Sequence, residues 1–310
     1  MHLIVLCLAG GCTVLLLCSL IGNGNRPEPH AIPLSARIAN YDEIIASVRH
    51  GLHYHAGSIT VTFTYGENIQ KELAAVAGDW VEAALEETDD PAEGDYIRYQ
   101  YGGYEIECAC RALDGGRYLY TVTIIPRHYT FLEQEEKLNA VVTEIEKAFG
   151  FTSSTSEYEK IRTIYDFVCS NIRYDQVHRN NDYAHLRSTC YSALIWRTAA
   201  CQGYSVTLYR LLRDAGINCR VVTGNARRVD SSEEFHAWNI VELEGKWYNL
   251  DATWDAGREN WRFFLRGGAH FTDHTPGKSF ISRGFVSRYA ISEADWPCPE
   301  NLPDPGVVFG

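Results

Sequence analysis

The chain has 310 residues, 45% of them hydrophobic, which is the composition of an ordinary globular protein with one large or two modest domains. Its net charge of −12 argues against a nucleic-acid binder, because phosphate neutralisation needs clustered Lys and Arg that the sequence does not show. An acidic surface of this kind mainly favours solubility.

An apolar run without a charged residue extends from Leu3 to Ile21, and a polar stretch rich in Gly, Asn and Pro follows it. The run is about long enough to cross a bilayer, and it is also typical of a secretory leader. No Lys or Arg precedes it, so cleavage and retention both stay open, and a buried N-terminal helix is a third alternative. We predict a signal peptide or membrane anchor over residues 1–22 and a linker over 23–34. The expected location is secreted or membrane-anchored and extracytoplasmic, with membrane contact only through this segment.

Residues 35–127 are predicted to form a small α+β accessory domain without a catalytic motif. Apolar periodicity predicts helices over 41–53 and 69–87, and strands over 58–65, 96–112 and 118–125. Cys108 and Cys110 share one face of a predicted strand and could form a metal pair, although buried positions are favoured for them.

Residues 128–292 are predicted to form the second domain, before a Pro-rich tail over 293–310. Helices are expected over 131–149 and 156–173, with Ser156 as a cap candidate. A further amphipathic helix follows Cys201 and ends at Gly216. Cys201 therefore lies at or just before its first turn, where unpaired N–H groups and the positive end of the helix dipole favour thiolate over thiol.

A β-hairpin is predicted downstream of that helix. The segments His236–Leu243 and Lys246–Thr253 both alternate, and Glu244-Gly245 between them is a turn signal. A two-residue loop places His236 and Asp251 on one face of the sheet as diagonal neighbours, roughly 7–8 Å apart at the backbone. A one-residue change in the loop would put them on opposite faces. The carboxylate can then orient an imidazole that serves a nucleophile.

The other segments of the second domain are predicted from shorter patterns. Strands are expected over 217–224 and 261–265, and polar loops over 225–235 and 267–284, the second of which contains His270 and His274. Six cysteines besides Cys201 follow the apolar run, and in an oxidising compartment they would permit three disulfides of unknown connectivity.

Three motifs resemble the core of the transglutaminase-like superfamily, in the same order and over about residues 161–255. They are Ala200-Cys201-Gln202-Gly203-Tyr204, His236-Ala237-Trp238-Asn239, and the segment from Trp247 to Asp255. The resemblance implies a papain-like α+β fold, in which a helix that begins at the cysteine packs on an antiparallel sheet carrying the His and the Asp. Two departures are Ala200, where Val is commoner, and Ala252, where Pro is commoner. Neither removes a catalytic group.

The resemblance implies a nucleophile at Cys201, a base at His236 and an orienting carboxylate at Asp251. Gln202, Tyr174 and Trp238 are candidates for the oxyanion site or the cleft, and the Cys201 backbone N–H is a further expected oxyanion donor.

These residues predict an enzyme that attacks peptide or side-chain amides and forms a thioester. Water would make it a peptidase or amidase and a primary amine would make it a transglutaminase, and the three residues do not decide between them. The expected partner is a peptide or protein substrate, including a cell-wall-associated one, and neither a metal nor an organic cofactor is required. The alternative is a non-catalytic extracytoplasmic module that binds peptide or cell wall, which predicts the loss of a triad residue.

Overall fold

The computed structural model describes residues 33–227, 232–258 and 260–297 in full, together with the backbone of residues 3–8 and 11–16. The chain divides into two compact units, one formed by residues 1–88 and 101–128 and the other by residues 89–100 and 129–310. Residues 89–100, which we predicted to lie in the accessory domain, are therefore part of the second unit.

The first unit is an antiparallel sheet with helices, in the strand order β1-β2-β4-β5-β3. Its strands are β1 (Leu3–Leu8), β2 (Gly11–Leu16), β3 (Ile59–Tyr65), β4 (Tyr101–Ala112) and β5 (Tyr118–His128), and its helices are α1 (Leu34–Arg37), α2 (Tyr41–His53) and α3 (Leu73–Ala84). Side chains of β3 alternate between buried and exposed, as expected for a strand with one face on the core.

Part of the predicted apolar leader, residues 9–10 and 17–21, lies outside the described residues. Of the helices in the part of the chain that the structure describes, none combines the length and the apolar character needed to cross a bilayer. The leader, the anchor and the extracytoplasmic location stay predictions.

The second unit contains a four-stranded antiparallel sheet in the order β10-β9-β8-β11 and a short parallel pair, β6 with β7. Its strands are β6 (Arg173–Tyr174), β7 (Thr198–Ala199), β8 (Cys219–Arg227), β9 (Glu233–Leu243), β10 (Lys246–Leu250) and β11 (His274–Pro276), and its helices are α4 (Asp95–Arg98), α5 (Leu132–Phe149), α6 (Glu157–Asn171), α7 (Cys201–Asp214), α8 (Ala252–Asp255) and α9 (Arg283–Arg288).

Helix α7 is the central element of this unit. Every residue from Gly203 to Leu212 is buried, and the helix packs on β8 and β9. Helix α6 lies beside it and begins with a capping box, in which the Ser156 hydroxyl accepts from the Glu159 N–H and the Glu159 carboxylate accepts from the Ser156 N–H. The helix that begins at Cys201 is thus held on the sheet, which confirms the predicted α+β class.

Helix α4 connects residues 89–100 to the rest of the second unit through the side chain of Asp95. The buried Asp95 carboxylate lies 2.8 Å from Arg220 Nε and accepts a hydrogen bond from the Val221 N–H at 2.8 Å. The predicted strand over 96–112 therefore begins only at Tyr101, because the residues before it form a helical turn around this ion pair.

The β9–β10 hairpin has the predicted register. Lys246 pairs with Leu243 and the ladder continues to Leu250 opposite Asn239. Both turn residues, Glu244 and Gly245, have positive φ (50° and 75°), as a two-residue type I′ turn requires.

Several predicted boundaries in the second unit are wrong. Strand β10 ends at Leu250 rather than Thr253, because Asp251 caps α8. Strands β8 and β9 extend into much of the predicted loop over 225–235, residues 261–265 form no strand, and β11 lies within the predicted loop over 267–284.

No disulfide forms within residues 33–297 as described. The cysteines outside any disulfide are Cys108, Cys110, Cys169, Cys190, Cys201 and Cys219, and Cys298 lies outside the described residues. Of the three disulfides that the sequence would permit, none joins two of these thiols in the described part of the chain. The thiol of Cys169 instead points at the Ala252 carbonyl at 3.7 Å.

Candidate active site

The position of Cys201 is set by the strand pair that precedes α7. The Asp175 N–H donates to the Ala199 carbonyl at 2.9 Å, and the Ala200 N–H donates to the Arg187 carbonyl at 2.8 Å. Ala200 is extended (φ −85°, ψ 175°), and Cys201 is the first residue of the helix. The N–H groups of a first helical turn have no acceptor within the helix, so they are available to an oxygen bound beside the thiol.

Gly203 permits this close packing of the first turn. A Cβ at this position would lie 2.6 Å from the Arg187 carbonyl oxygen and 2.8 Å from the Ala199 side chain. Only glycine lets the helix approach the preceding segment so closely, so the residue two places after the cysteine has a steric reason to be Gly.

The His236 imidazole lies between the other two predicted residues. Its Nε2 lies 2.8 Å from Asp251 Oδ2, and a side-chain hydrogen bond joins the same ring to the Cys201 thiol. Because Nε2 is engaged by the carboxylate, the thiol faces Nδ1. The structure therefore brings Cys201, His236 and Asp251 together in the order nucleophile, base and carboxylate.

His236 and Asp251 each stabilise the charged form of the other. Burial lowers the pKa of His236, but the Asp251 charge and the hydrogen bonds outweigh burial and raise that pKa to about 10. Burial likewise raises the pKa of Asp251, but the His236 charge and the bonds from His236 and His274 hold that pKa well below its usual range. The buried pair is therefore an imidazolium beside a carboxylate at neutral pH, and such a cation stabilises a neighbouring thiolate.

A second histidine, His274, contacts the same carboxylate. Its Nε2 lies 3.1 Å from Asp251 Oδ2, and its side chain is 0% exposed. Strand β11 can carry it there because of Gly224 in the neighbouring strand, where a Cβ would lie 2.1 Å from the Thr275 carbonyl oxygen. No sequence pattern predicts this contact, because no local spacing relates His274 to Asp251 and only the pairing of β11 with β8 brings the two close.

His236, Asp251 and His274 also form a candidate metal-ligand set. Two ring nitrogens and one carboxylate oxygen lie within 4.8 Å of one another, and zinc accepts such donors. In the present geometry both ring nitrogens are hydrogen-bonded to the same oxygen of Asp251. Those bonds account for the clustering without an ion.

The three cleft candidates differ in their positions. Tyr174 is 38% exposed and pairs with Ala199, two residues before Cys201. The side-chain amide of Gln202 donates to the Tyr99 carbonyl, which directs it into the second unit. Trp238 is 1% exposed and belongs to the hydrophobic core, so its predicted position in a cleft is corrected to a core position, where its ring stacks on that of His236 at 6.4 Å between centroids.

Comparison with known proteins gives matches over this part of the chain. Residues 146–252 match the family model described as transglutaminase-like superfamily, a range that contains Cys201, His236 and Asp251. Human kyphoscoliosis peptidase is 30% identical over 142 residues, which cover 41% of this chain and 21% of that protein. Mouse kyphoscoliosis peptidase is 30% identical over 138 residues, covering 39% and 21%. The match thus spans about a fifth of the length of these relatives. A solved structure of a TGase aligns with a TM-score of 0.31 and 20% identity over 47% of this chain and 44% of that chain.

Proposed function

We propose that residues 146–252, which match the transglutaminase-like superfamily model, belong to that superfamily, and that the protein is an acyl-transfer enzyme with a cysteine nucleophile. The observation that carries the proposal is the Cys201–His236–Asp251 chain of hydrogen bonds at the start of α7. Its substrates are peptide-bond or side-chain amides, and its intermediate is a thioester.

The reaction follows from the positions of the three side chains. The Cys201 thiolate attacks the amide carbonyl carbon, and the carbonyl oxygen becomes an oxyanion beside the first turn of α7. The C–N bond breaks as the His236 imidazolium gives its proton to the departing amine, which leaves an acyl-thioester. Asp251 keeps the His236 ring oriented with Nδ1 towards the sulfur throughout.

The second half of the reaction depends on the nucleophile that enters next. Water, deprotonated by neutral His236, hydrolyses the thioester and releases a carboxylic acid, whereas a primary amine forms a new amide. The relatives named as peptidases favour water, so we propose peptide hydrolysis as the first activity to test. The charge-free apolar run from Leu3 to Ile21 supports an extracytoplasmic peptide or protein as the substrate.

The activity test uses a set of glutamine-containing peptides incubated with the full chain and a labelled primary amine. Mass spectrometry distinguishes chain cleavage, deamidation and amine incorporation. We expect Cys201→Ala and His236→Ala each to abolish the reaction, and Cys110→Ala, which removes a partly exposed thiol of the first unit, to leave it unchanged. Full activity of Cys201→Ala would refute the assigned nucleophile.

A labelling experiment separates the enzyme from the non-catalytic alternative without knowledge of the substrate. Iodoacetamide should modify Cys201 near neutral pH much faster than it modifies a thiol with an ordinary pKa of about 8.5. If Cys201 reacts no faster than such a thiol, the acyl-transfer proposal fails, and a module that binds peptide or cell wall is what remains.

A further inference from the structure

We propose that His274 is a positioning residue of this site, a neutral imidazole whose Nε2–H donates to Asp251 Oδ2 and fixes the carboxylate that orients His236. The inference rests on the proposed acyl-transfer function for its consequence and on the contacts of Asp251 for its geometry. His274 bonds the same carboxylate oxygen as His236, and the two ring centroids are 5.4 Å apart. We expect its effect on the reaction to pass through its bond to Asp251.

The Asp251 carboxylate is held by four donors. Oδ2 accepts from His236 Nε2 at 2.8 Å and from His274 Nε2 at 3.1 Å. Oδ1 accepts from the N–H groups of Thr253 at 3.0 Å and Trp254 at 3.2 Å. A carboxylate has about four lone-pair positions, so this set leaves it no rotation that keeps all of its bonds. Without His274, one oxygen would depend on the His236 bond alone.

The surroundings of His274 select its neutral form. Phe271 stacks on the ring at 4.0 Å between centroids, and Trp254 lies at 4.6 Å. Nδ1 is buried without a hydrogen-bond partner in the described part of the chain. A proton there would bury an unsatisfied N–H, so the single ring proton belongs on Nε2, where Asp251 accepts it.

The charged groups that face His274 agree with this assignment. Burial lowers the pKa of His274, and the positive charge of His236 lowers it further, whereas Asp251 and Asp273 raise it. The balance is a lowered pKa, so the ring stays uncharged at neutral pH. The two histidines on one carboxylate therefore differ in charge, with His236 as the cation and His274 as the neutral donor.

Variants of His274 test the proposal through the reactivity of Cys201. His274→Phe keeps a planar ring in the aromatic surroundings and removes the donor, whereas His274→Gln keeps an N–H donor. His270→Phe is the matched control, because His270 lies four residues away and is 57% exposed. The measurement is the rate of Cys201 alkylation by iodoacetamide from pH 4 to 10, with thermal unfolding of each variant recorded alongside.

We expect His274→Phe to slow alkylation about tenfold at pH 6 and to move the acid limb of the profile to higher pH. The reason is that a carboxylate with one donor fewer ionises less readily and orients the imidazolium less well. His274→Gln should stay within about threefold of the unmodified protein, and His270→Phe should match it. A purely structural role would lower the unfolding temperature without moving the acid limb.

Equal rates and equal acid limbs for folded His274→Phe and the unmodified protein would overturn the inference, as would a Gln variant that is as slow as the Phe variant. If Cys201 of the unmodified protein is itself unreactive, the proposed function fails. In that case, NMR of the histidine ring nitrogens in the unmodified, isotope-labelled protein still tests the protonation of His274 directly. The same measurement replaces the alkylation assay if the Phe variant does not fold. A neutral ring protonated at Nε2 is expected near pH 7, and a ring protonated at Nδ1 would refute the assignment.

Discussion

Replacement of Asp251 by Asn is the sharpest test of the charge arrangement in the site. The rise in the pKa of His236 from 6.5 to about 10 corresponds to about 5 kcal/mol of stabilisation of the imidazolium, in which Asp251 is the largest favourable cause. Asn keeps an oxygen that can accept the His236 N–H, but it has no charge. Burial then dominates, and the pKa of His236 should fall to or below its ordinary value.

The size of the effect on alkylation follows from the ionised fraction of a thiol. A thiol with an ordinary pKa of about 8.5 is roughly 0.3% ionised at pH 6, so it should react about 300-fold more slowly than a fully ionised one. We expect a loss of about 100-fold at pH 6 for Asp251→Asn, because the remaining hydrogen bond keeps part of the ring orientation. Above pH 9, where the free thiol is ionised anyway, the two proteins should converge.

The assay is alkylation of Cys201 followed by peptide mass spectrometry across the pH range. Asp273→Asn is the matched control, since this carboxylate adjoins His274 in the chain but is bound to Arg262 at 3.3 Å rather than to His236. A rate for Asp251→Asn within threefold of the unmodified protein at pH 6 would refute the ion-pair reasoning. A large loss for Asp273→Asn would show that the effect is not specific to Asp251.

Three further predictions concern pH, packing and capping. Folding raises the pKa of His236 from 6.5 to about 10, so the contribution of this group to stability should be full below pH 6.5 and lost as pH rises through about 10. Denaturant unfolding at pH 6, 8 and 10 checks this. Gly224→Ala should cost about 3 kcal/mol of stability, because its Cβ would lie 2.1 Å from the Thr275 carbonyl oxygen. The control Gly284→Ala, whose Cβ would have nothing within 4 Å, should be neutral or stabilising. Equal unfolding midpoints for the two variants would contradict this. Ser156→Ala should lower the free energy of unfolding by about 1 kcal/mol through loss of the α6 capping box, and an unchanged urea midpoint would count against it.

Local patterns in the sequence predicted those elements whose structure is determined locally. Helix α2 has the predicted bounds, and the first turn of α7 begins at Cys201 because apolar spacing marks one face of the helix. The hairpin register followed from the two-residue turn at Glu244-Gly245, and it placed His236 and Asp251 within reach of each other. These signals all act within about twenty residues.

Features that depend on distant contacts were missed. Strand β10 stops early because Asp251 is the N-cap residue of α8, and its carboxylate therefore reaches His236 from the position just after the strand. His274 gave no signal, since its role appears only when β11 pairs with β8. Trp238 belongs to the same motif as His236 and lies on the same face of β9, but both faces of this strand are buried, and Trp238 is therefore part of the core.

The allocation of residues 89–100 to the second unit bears on how this protein can be divided. A truncated chain starting at residue 129 would lack Asp95, the buried counter-ion of Arg220, and the Tyr99 carbonyl that receives the amide of Gln202 beside the nucleophile. Both ends of the segment run into the other unit, so no single cut separates the two halves. Exchange or removal of the first unit therefore needs three breaks, after residues 88, 100 and 128, and a new joint between residues 100 and 129. A recombination that discards everything before residue 129 would also discard the contacts that Asp95 and Tyr99 make with the second unit.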